Sequence, residues 1–481
     1  MNLKTVASLS SALLFLLAAL LLVPFALALY DDTERAALAY GVSAAVTVVA
    51  ALALRFSGRG APATLHRKDA LGVVALIWLC SGTFGALPFV IEGSIVAPAA
   101  ALFEAVSGFT TTGATVVGDI DGLSRATNLW RCLMHWVGGM GIVVLFIAVF
   151  PQLGVGAKHL FKTEVPGPIT EGLRPKIKQT ALTLWWIYTG LTLTAGVLLW
   201  LCGLPIFDAV CHALSTLATG GFSNHTRSVG AFESATVHWI IIAFMLIGAL
   251  NFGLYHGLLR GRVRDILRDY ETRFYLLVNA LVITIVFFST RGRYPDALSA
   301  LRHAAFQTTA VTTTTGYMTA DYDTYPDVAR FALFLCMFMG GCAGSTAAGI
   351  KASRVYALIK LAGRSLRNTV QPQAVVAVRV GRTALSEGVI DGILIFVTTY
   401  FLIFAVASLI MVGLGLDLVS AMSSVVACLS NIGPGLGAVG PTQNYDFVPA
   451  AGKLVLSACM IIGRLEIFAF FAVFTPEAWR R

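Results

Sequence analysis

Residues 107–117 read SGFTTTGATVV, and three later stretches repeat the pattern: STLATGGFS at 215–223, AVTTTTGYMT at 310–319 and CLSNIGPGLG at 428–437. Aligned without gaps, they place Gly113, Gly220, Gly316 and Gly433 in one column, behind Thr112, Thr219, Thr315 and Ile432. The glycines are 107, 96 and 117 residues apart. Each copy closes an apolar segment of only about 14 residues (97–110, 206–218, 297–312 and 417–431), too short to cross a bilayer but suited to a re-entrant helix. A four-copy repeat decides the architecture before any single residue does.

The chain around these copies is built for lipid. Of its 481 residues 57% are hydrophobic and 12% are charged, against about 25% charged in an ordinary soluble domain. The mean hydropathy is +0.80. This excludes a soluble enzyme, a disordered scaffold and a fibrous chain. Ten stretches are long and apolar enough to span: about 8–29, 36–54, 69–91, 130–152, 180–203, 236–258, 274–290, 330–350, 390–413 and 454–474. The first is followed within a short turn by the second, which reads as an anchor rather than a cleaved signal peptide. Alternating the spans puts 24 of the 34 Lys and Arg on one side, nine on the other, with Arg131 and Arg330 at span ends counted there, and Arg464 inside a span. The basic side is therefore cytoplasmic and holds both termini. The net charge of +9 follows from this bias and does not point to nucleic acid.

The expected fold is an all-α polytopic membrane protein. After an N-terminal helix pair (1–60) come four units of span, re-entrant helix, loop and return span, at 68–156, 176–262, 270–362 and 385–481. Such polar, irregular backbone is tolerated at membrane depth only where protein or water surrounds it. Four equivalent hairpins can close into a ring whose loops meet on an axis. Carbonyl oxygens there can replace the hydration shell of a monovalent cation. Glycine permits the positive φ that aims successive carbonyls one way, and the negative ends of the short helices favour a cation. No Asp or Glu lies in the four aligned loops, which disfavours a divalent ion.

Two further features bear on control. Residues 340–351, GGCAGSTAAGIK, read either as a break in the eighth span lying under the loops or as a small-residue packing face from Gly340-xxx-Gly344. Arg464 reads either as a charge near the ion path or as half of a structural ion pair. Other motifs are near misses. Gly435-x-Gly437-x-x-Gly440 lacks the preceding strand of a dinucleotide site, and 344–351 lacks the Lys-Ser/Thr ending of a phosphate loop. No nucleophile elbow and no carboxylate pair suited to acid–base work is present. The eight cysteines sit singly and read as small core residues.

The loops TTTGA (110–114), ATGGFS (218–223), TTTGY (313–317) and NIGPGLG (431–437), with 340–351 and Arg464, resemble those of the Trk/Ktr/HKT superfamily of K⁺ transporters, within it the bacterial Trk-type membrane subunit. The resemblance implies a K⁺ filter formed by Thr111, Thr112 and Gly113, by Thr219, Gly220 and Gly221, by Thr315, Gly316 and Tyr317, and by Ile432, Gly433 and Pro434. It implies a gate formed by Gly340, Gly341, Gly344, Ser345, Thr346, Gly349 and Lys351 with Arg464 below the filter. It implies a potassium uptake subunit of the bacterial inner membrane, driven by membrane potential, with no other cofactor. Its partners would be a second copy and a cytoplasmic nucleotide-binding regulatory subunit docked on the basic loops. A Na⁺-coupled or weakly selective monovalent cation transporter of the same fold is the alternative. Ala348 stands where the family's gating loop usually carries the first of two glycines.

Overall fold

The computed structural model describes residues 2–61, 67–148, 173–373, 377–381, 383–467 and 470–471. The chain opens with α1 (Leu3–Tyr30), capped by the Asn2 side chain, which accepts from the Lys4 and Thr5 amides. A turn with Asp32 at φ 51° returns it as α2 (Glu34–Ser57). This pair packs through Leu14, Leu17, Leu21, Tyr40 and Ala44. The Tyr40 hydroxyl reaches Thr127 Oγ1 at 3.0 Å, tying the pair to the rest of the molecule.

The rest of the chain is described in four stretches. The first holds α3 (Arg67–Glu92), α4 (Pro98–Phe109) and α5 (Arg125–Ala148). The second holds α6 (Leu173–Leu201), α7 (Ile206–Leu217), α8 (Ala235–Ala249), α9 (Phe252–Leu259) and α10 (Val263–Arg268). The third holds α11 (Tyr270–Thr290), α12 (Ala297–Thr312), α13 (Asp327–Cys336) and α14 (Ala352–Val370). A hairpin of β1 (Arg379–Val380) and β2 (Thr383–Ala384) leads to the last, with α15 (Glu387–Gly413), α16 (Leu418–Leu429) and α17 (Ala450–Arg464).

By length and composition α1, α2, α3, α6, α11 and α15 can cross a membrane. Their outward faces carry large exposed apolar residues such as Leu16, Leu193, Leu277, Leu402 and Leu409, as lipid-facing helices do. The protein is a helical, multi-pass membrane protein. The four short helices α4, α7, α12 and α16 occupy the interior instead. Phe103, Cys211, Phe306, Val425 and Leu429 are fully buried.

Three expected spans differ. The stretch 236–258 is two helices, α8 and α9, bent by 100° at Leu250–Asn251. The stretch 330–350 holds only the ten-residue α13, and residues 337–351 are not helical. The last span was expected to continue to 474, but α17 stops at Arg464 and turns through Glu466 and Ile467 at positive φ. Arg464 is therefore the final residue of α17; the chain is helical again at 470–471, and residues 468–469 and 472–474 of the expected span lie outside the described residues. The end of the fourth expected span (149–152) and the inner loop 157–178, up to residue 172, lie outside the described residues.

Candidate functional site

All four short helices end alike. Their caps are Thr110, Ala218, Thr313 and Ser430. The next residue is left-handed in each: Thr111 (φ 54°), Thr219 (52°), Thr314 (56°) and Asn431 (54°). The amide after it bonds five residues back, Thr112 to Ser107, Gly220 to Ser215, Thr315 to Ala310 and Ile432 to Ala427, at 2.8–2.9 Å. This is the helix-closing motif in which a left-handed residue lets following amides satisfy orphan carbonyls. Three residues past each cap stands a glycine of positive φ: Gly113 (80°), Gly221 (84°), Gly316 (76°) and Gly433 (101°).

Counting from the helix end corrects the column. Its second member is Gly221, not Gly220, and the matching triplets are 111–113, 219–221, 314–316 and 431–433. Thr314 and Asn431, outside the expected set, belong to these triplets, while Tyr317 and Pro434 fall one place beyond. The Tyr317 ring turns away behind the loop, its hydroxyl donating to the Phe222 carbonyl at 3.5 Å.

The corrected glycines form a closed cycle. A β-carbon on Gly113 would strike the carbonyl oxygen of Gly220; on Gly221, that of Thr315; on Gly316, that of Ile432; on Gly433, that of Thr112. Each loop thus presses its glycine against the carbonyl that precedes the glycine of the next, first to second to third to fourth to first. No side chain fits at these four contacts. Threonine hydroxyls behind them bond within the first and third loops, Thr110 to Thr112 at 2.7 Å and Thr313 to Thr315 at 2.8 Å. Asn431 Nδ2 donates to Thr112 Oγ1 at 2.9 Å, joining the fourth loop to the first.

Beneath the cycle lies the non-helical stretch 337–351, which settles the reading of 340–351 as a break rather than a helical packing face. It is held to the break in α8–α9. Cys342 N donates to Ala249 O (2.9 Å), Thr346 N to Gly248 O (3.2 Å), and Phe252 N to Gly344 O (3.1 Å). The two interruptions thus satisfy each other's backbone groups, as irregular backbone in a membrane protein must. Glu271 Oε1 accepts from Ala343 N (2.8 Å) and Ser353 N (2.9 Å), pinning both ends. Lys351 Nζ folds back on Ala347 O at 2.5 Å. The stretch touches the loops above it: Thr219 Oγ1 lies 3.3 Å from Thr346 Oγ1, and Ala348 N donates to Thr314 Oγ1 at 3.0 Å. Gly340, Gly341, Gly344, Ser345 and Gly349 allow its tight course. A β-carbon on Gly340 would strike Ala348 O, and Gly344 and Gly349 have positive φ.

Arg464 is buried and donates to carbonyls, Nη1 to Thr346 O at 2.8 Å and Nη2 to Gly138 O at 3.2 Å. It joins the stretch 337–351 to α5. The ion-pair alternative falls to its neighbour instead: Glu466 takes Arg354 at 2.6 Å. In the segment that follows the second loop, His225 lies between Asp121 Oδ1 (2.9 Å) and Asp208 Oδ2 (3.3 Å). Its pKa is raised, chiefly by the bond to Asp208 and then by Asp121, against partial desolvation. The glycines 435–440 form a turn after α16, with Gly435 N on Val439 O at 2.7 Å, not the strand-to-helix corner of a nucleotide site.

Comparison with known proteins bears on this geometry. A family model, TrkH, described as a cation transport protein, matches residues 37–479. The chain is 39% identical over 448 residues to the Trk system potassium uptake protein TrkH of Halomonas elongata, covering 92% of each. It is 40% identical over 421 residues to the protein of that name in Escherichia coli K12, covering 86% of this chain and 87% of the other. The crystal structure of the potassium transporter TrkH from Vibrio parahaemolyticus superposes with a TM-score of 0.91 at 34% identity, covering all of both chains.

Proposed function

The chain belongs to the TrkH family of cation transport proteins, and from that premise we propose that it carries K⁺ across the membrane as the membrane subunit of a potassium uptake system. The observation that carries the reading is the closed cycle of glycine-to-carbonyl contacts. Four loops held that tightly can offer a ring of main-chain oxygens to a dehydrated cation without carboxylates. The short helices behind them point their negative ends at the same place.

In this reading the filter comprises Thr111, Thr112 and Gly113, Thr219, Gly220 and Gly221, Thr314, Thr315 and Gly316, and Asn431, Ile432 and Gly433. The stretch 340–351 with Arg464 is the gate below. The layout is ten spans, an N-terminal pair and four units at 68–156, 176–262, 270–362 and 385–481, around a central pore. The protein sits in a bacterial inner membrane with both termini inside, works as a transporter and not an enzyme, and pairs with a second copy. A cytoplasmic nucleotide-binding subunit docks on its basic inner loops.

The test is uptake of ⁸⁶Rb⁺ by liposomes holding the purified full chain, with K⁺ or Na⁺ as competitor. Uptake suppressed by K⁺ well below the Na⁺ concentration needed supports the proposal. Equal suppression by both ions would favour the weakly selective alternative. No uptake would remove the transport reading.

A further inference from the structure

Behind the first loop lies an ion pair that transport as described does not use. Glu104, midway along α4, and Arg131, in the first turns of α5, are both fully buried, with Arg131 Nε 2.9 Å from Glu104 Oε1. Burying two charges is costly unless geometry and further hydrogen bonds compensate, and here every partner except Asn128, on α5 itself, lies in a filter loop or its flank. Glu104 accepts from Thr115 Oγ1 and from Val116 N, each at 2.9 Å. Arg131 Nη1 donates to Ser223 O at 3.0 Å and to Asn128 Oδ1 at 3.4 Å, and Nη2 to Thr115 Oγ1 at 3.3 Å. Its guanidinium lies 4.1 Å from the Phe222 ring centre. The pair therefore grips the outgoing strand of the first loop with one end and that of the second with the other.

The equivalent place in the other units shows what the position is for. Six residues before the caps stand Glu104, His212, Gln307 and Ser424. His212 Nε2 meets Ser223 Oγ at 3.0 Å, Gln307 Nε2 donates to Ala320 O at 2.9 Å, and beside Ser424 the Ser423 hydroxyl donates to Leu436 O at 2.9 Å. Each short helix holds its own outgoing strand by a buried polar side chain, but only Glu104 is charged. The junctions between loops differ in the same way. Tyr317 spans third to second through Phe222 O, and Tyr322 spans third to fourth through Pro434 O at 3.3 Å. Tyr445 spans fourth to first, its amide on Thr115 O at 2.8 Å and its hydroxyl on Gly433 O at 2.7 Å. Neutral tyrosines serve three junctions, and among the described residues a charged pair serves the fourth.

We propose that Glu104 and Arg131 are specificity-determining positioning residues: they set the spacing of the first and second filter loops and through it the preference for K⁺ over Na⁺. The proposal rests on the filter reading above. A preference of this kind depends on how firmly the carbonyls are held, whether by cavity size or by field strength. Charge-assisted hydrogen bonds are shorter and stronger than neutral ones.

The experiment measures Na⁺ and K⁺ competition against ⁸⁶Rb⁺ uptake by the reconstituted full chain. In Glu104→Gln with Arg131→Gln both charges go together, so no unpaired charge is left buried. The K⁺ preference is expected to fall by about tenfold, equal to about 1.4 kcal/mol, while uptake itself persists. Glu104→Asp, which keeps the charge, is expected to retain most of the preference. Thr115→Val keeps both charges and removes the hydroxyl they share. It decides the matter if the double variant does not fold, and a smaller loss in the same direction is expected. An unchanged preference in a folded variant, or lost protein yield with an unchanged ratio, would overturn the proposal and leave the filter reading standing. Absence of uptake by the unaltered chain would overturn the filter reading instead.

Discussion

At Gly113 the backbone sits at φ 80°, and a β-carbon would lie inside the Gly220 carbonyl. A left-handed conformation costs a residue with a β-carbon about 1–2 kcal/mol, and here the neighbouring backbone must also move. Gly113→Ser is therefore expected to lower the K⁺ preference by about tenfold or more, as a shift of about 1.4 kcal/mol would. Competition by Na⁺ against ⁸⁶Rb⁺ uptake measures it. The second loop allows a sharper comparison. Gly221 has φ 84° and abuts the Thr315 carbonyl, whereas a β-carbon on Gly220 would meet the His135 ring, a side chain. Gly221→Ser should damage selectivity more than Gly220→Ser, and the reverse order would restore the gap-free column. Three of the four column glycines stand in the cycle where the gap-free alignment places them: in the first and third loops a single glycine follows the threonines, and in the fourth Gly433 follows Asn431 and Ile432. In ATGGFS two follow, and the deciding feature is the end of α7, which composition locates only to within a residue. Glu104 is the lone acid in the apolar segment 97–110, but nothing in the local sequence marks its role: its partner Arg131 is 27 residues away, and only the fold joins them.

Among elements, the short helices were legible to within about two residues, 97–110 against Pro98–Phe109 and 297–312 against Ala297–Thr312. Limited apolar length followed by a Thr, Ser or Gly run carries that signal. The break in 236–258 was not legible. Its sequence stays apolar through Leu250, and the carbonyls it frees are taken by a stretch up to 98 residues further on. A local pattern cannot encode a break whose compensation is tertiary. The same stretch binds Arg464, which is where the element-scale prediction lies. A fixed positive charge at an assumed separation of about 8 Å and an effective dielectric of about 20 costs a passing cation about 2 kcal/mol. Arg464→Ala is expected to raise ⁸⁶Rb⁺ flux roughly tenfold or more, since each 1.36 kcal/mol is tenfold in rate. Loss of folded protein without added flux would mean that the two carbonyl bonds, to Thr346 and Gly138, are its whole purpose.

For the whole molecule, orientation comes from charge and the driving force comes from orientation. The 24 basic residues that alternating the expected spans assigns to one side predict that side as the interior, where the membrane potential is negative. A cation moving inward through the cycle of loops gains about 2.3 kcal/mol per 100 mV. If no second ion is coupled, accumulation stops when the chemical gradient balances that gain, at about fiftyfold for 100 mV, since tenfold corresponds to 1.4 kcal/mol. The geometry favours the uncoupled case, because the four loops together form one ring and their aligned residues hold no carboxylate for a second site. Liposomes clamped at a series of potentials, with Na⁺ and pH equal on both sides, should therefore show ⁸⁶Rb⁺ ratios that rise about fiftyfold per 100 mV. Imposed Na⁺ or proton gradients should leave these ratios unchanged. A ratio that exceeds the line and tracks an imposed gradient would make the ring one half of a coupled transporter, and a search for the second site would then begin with the carboxylates outside it.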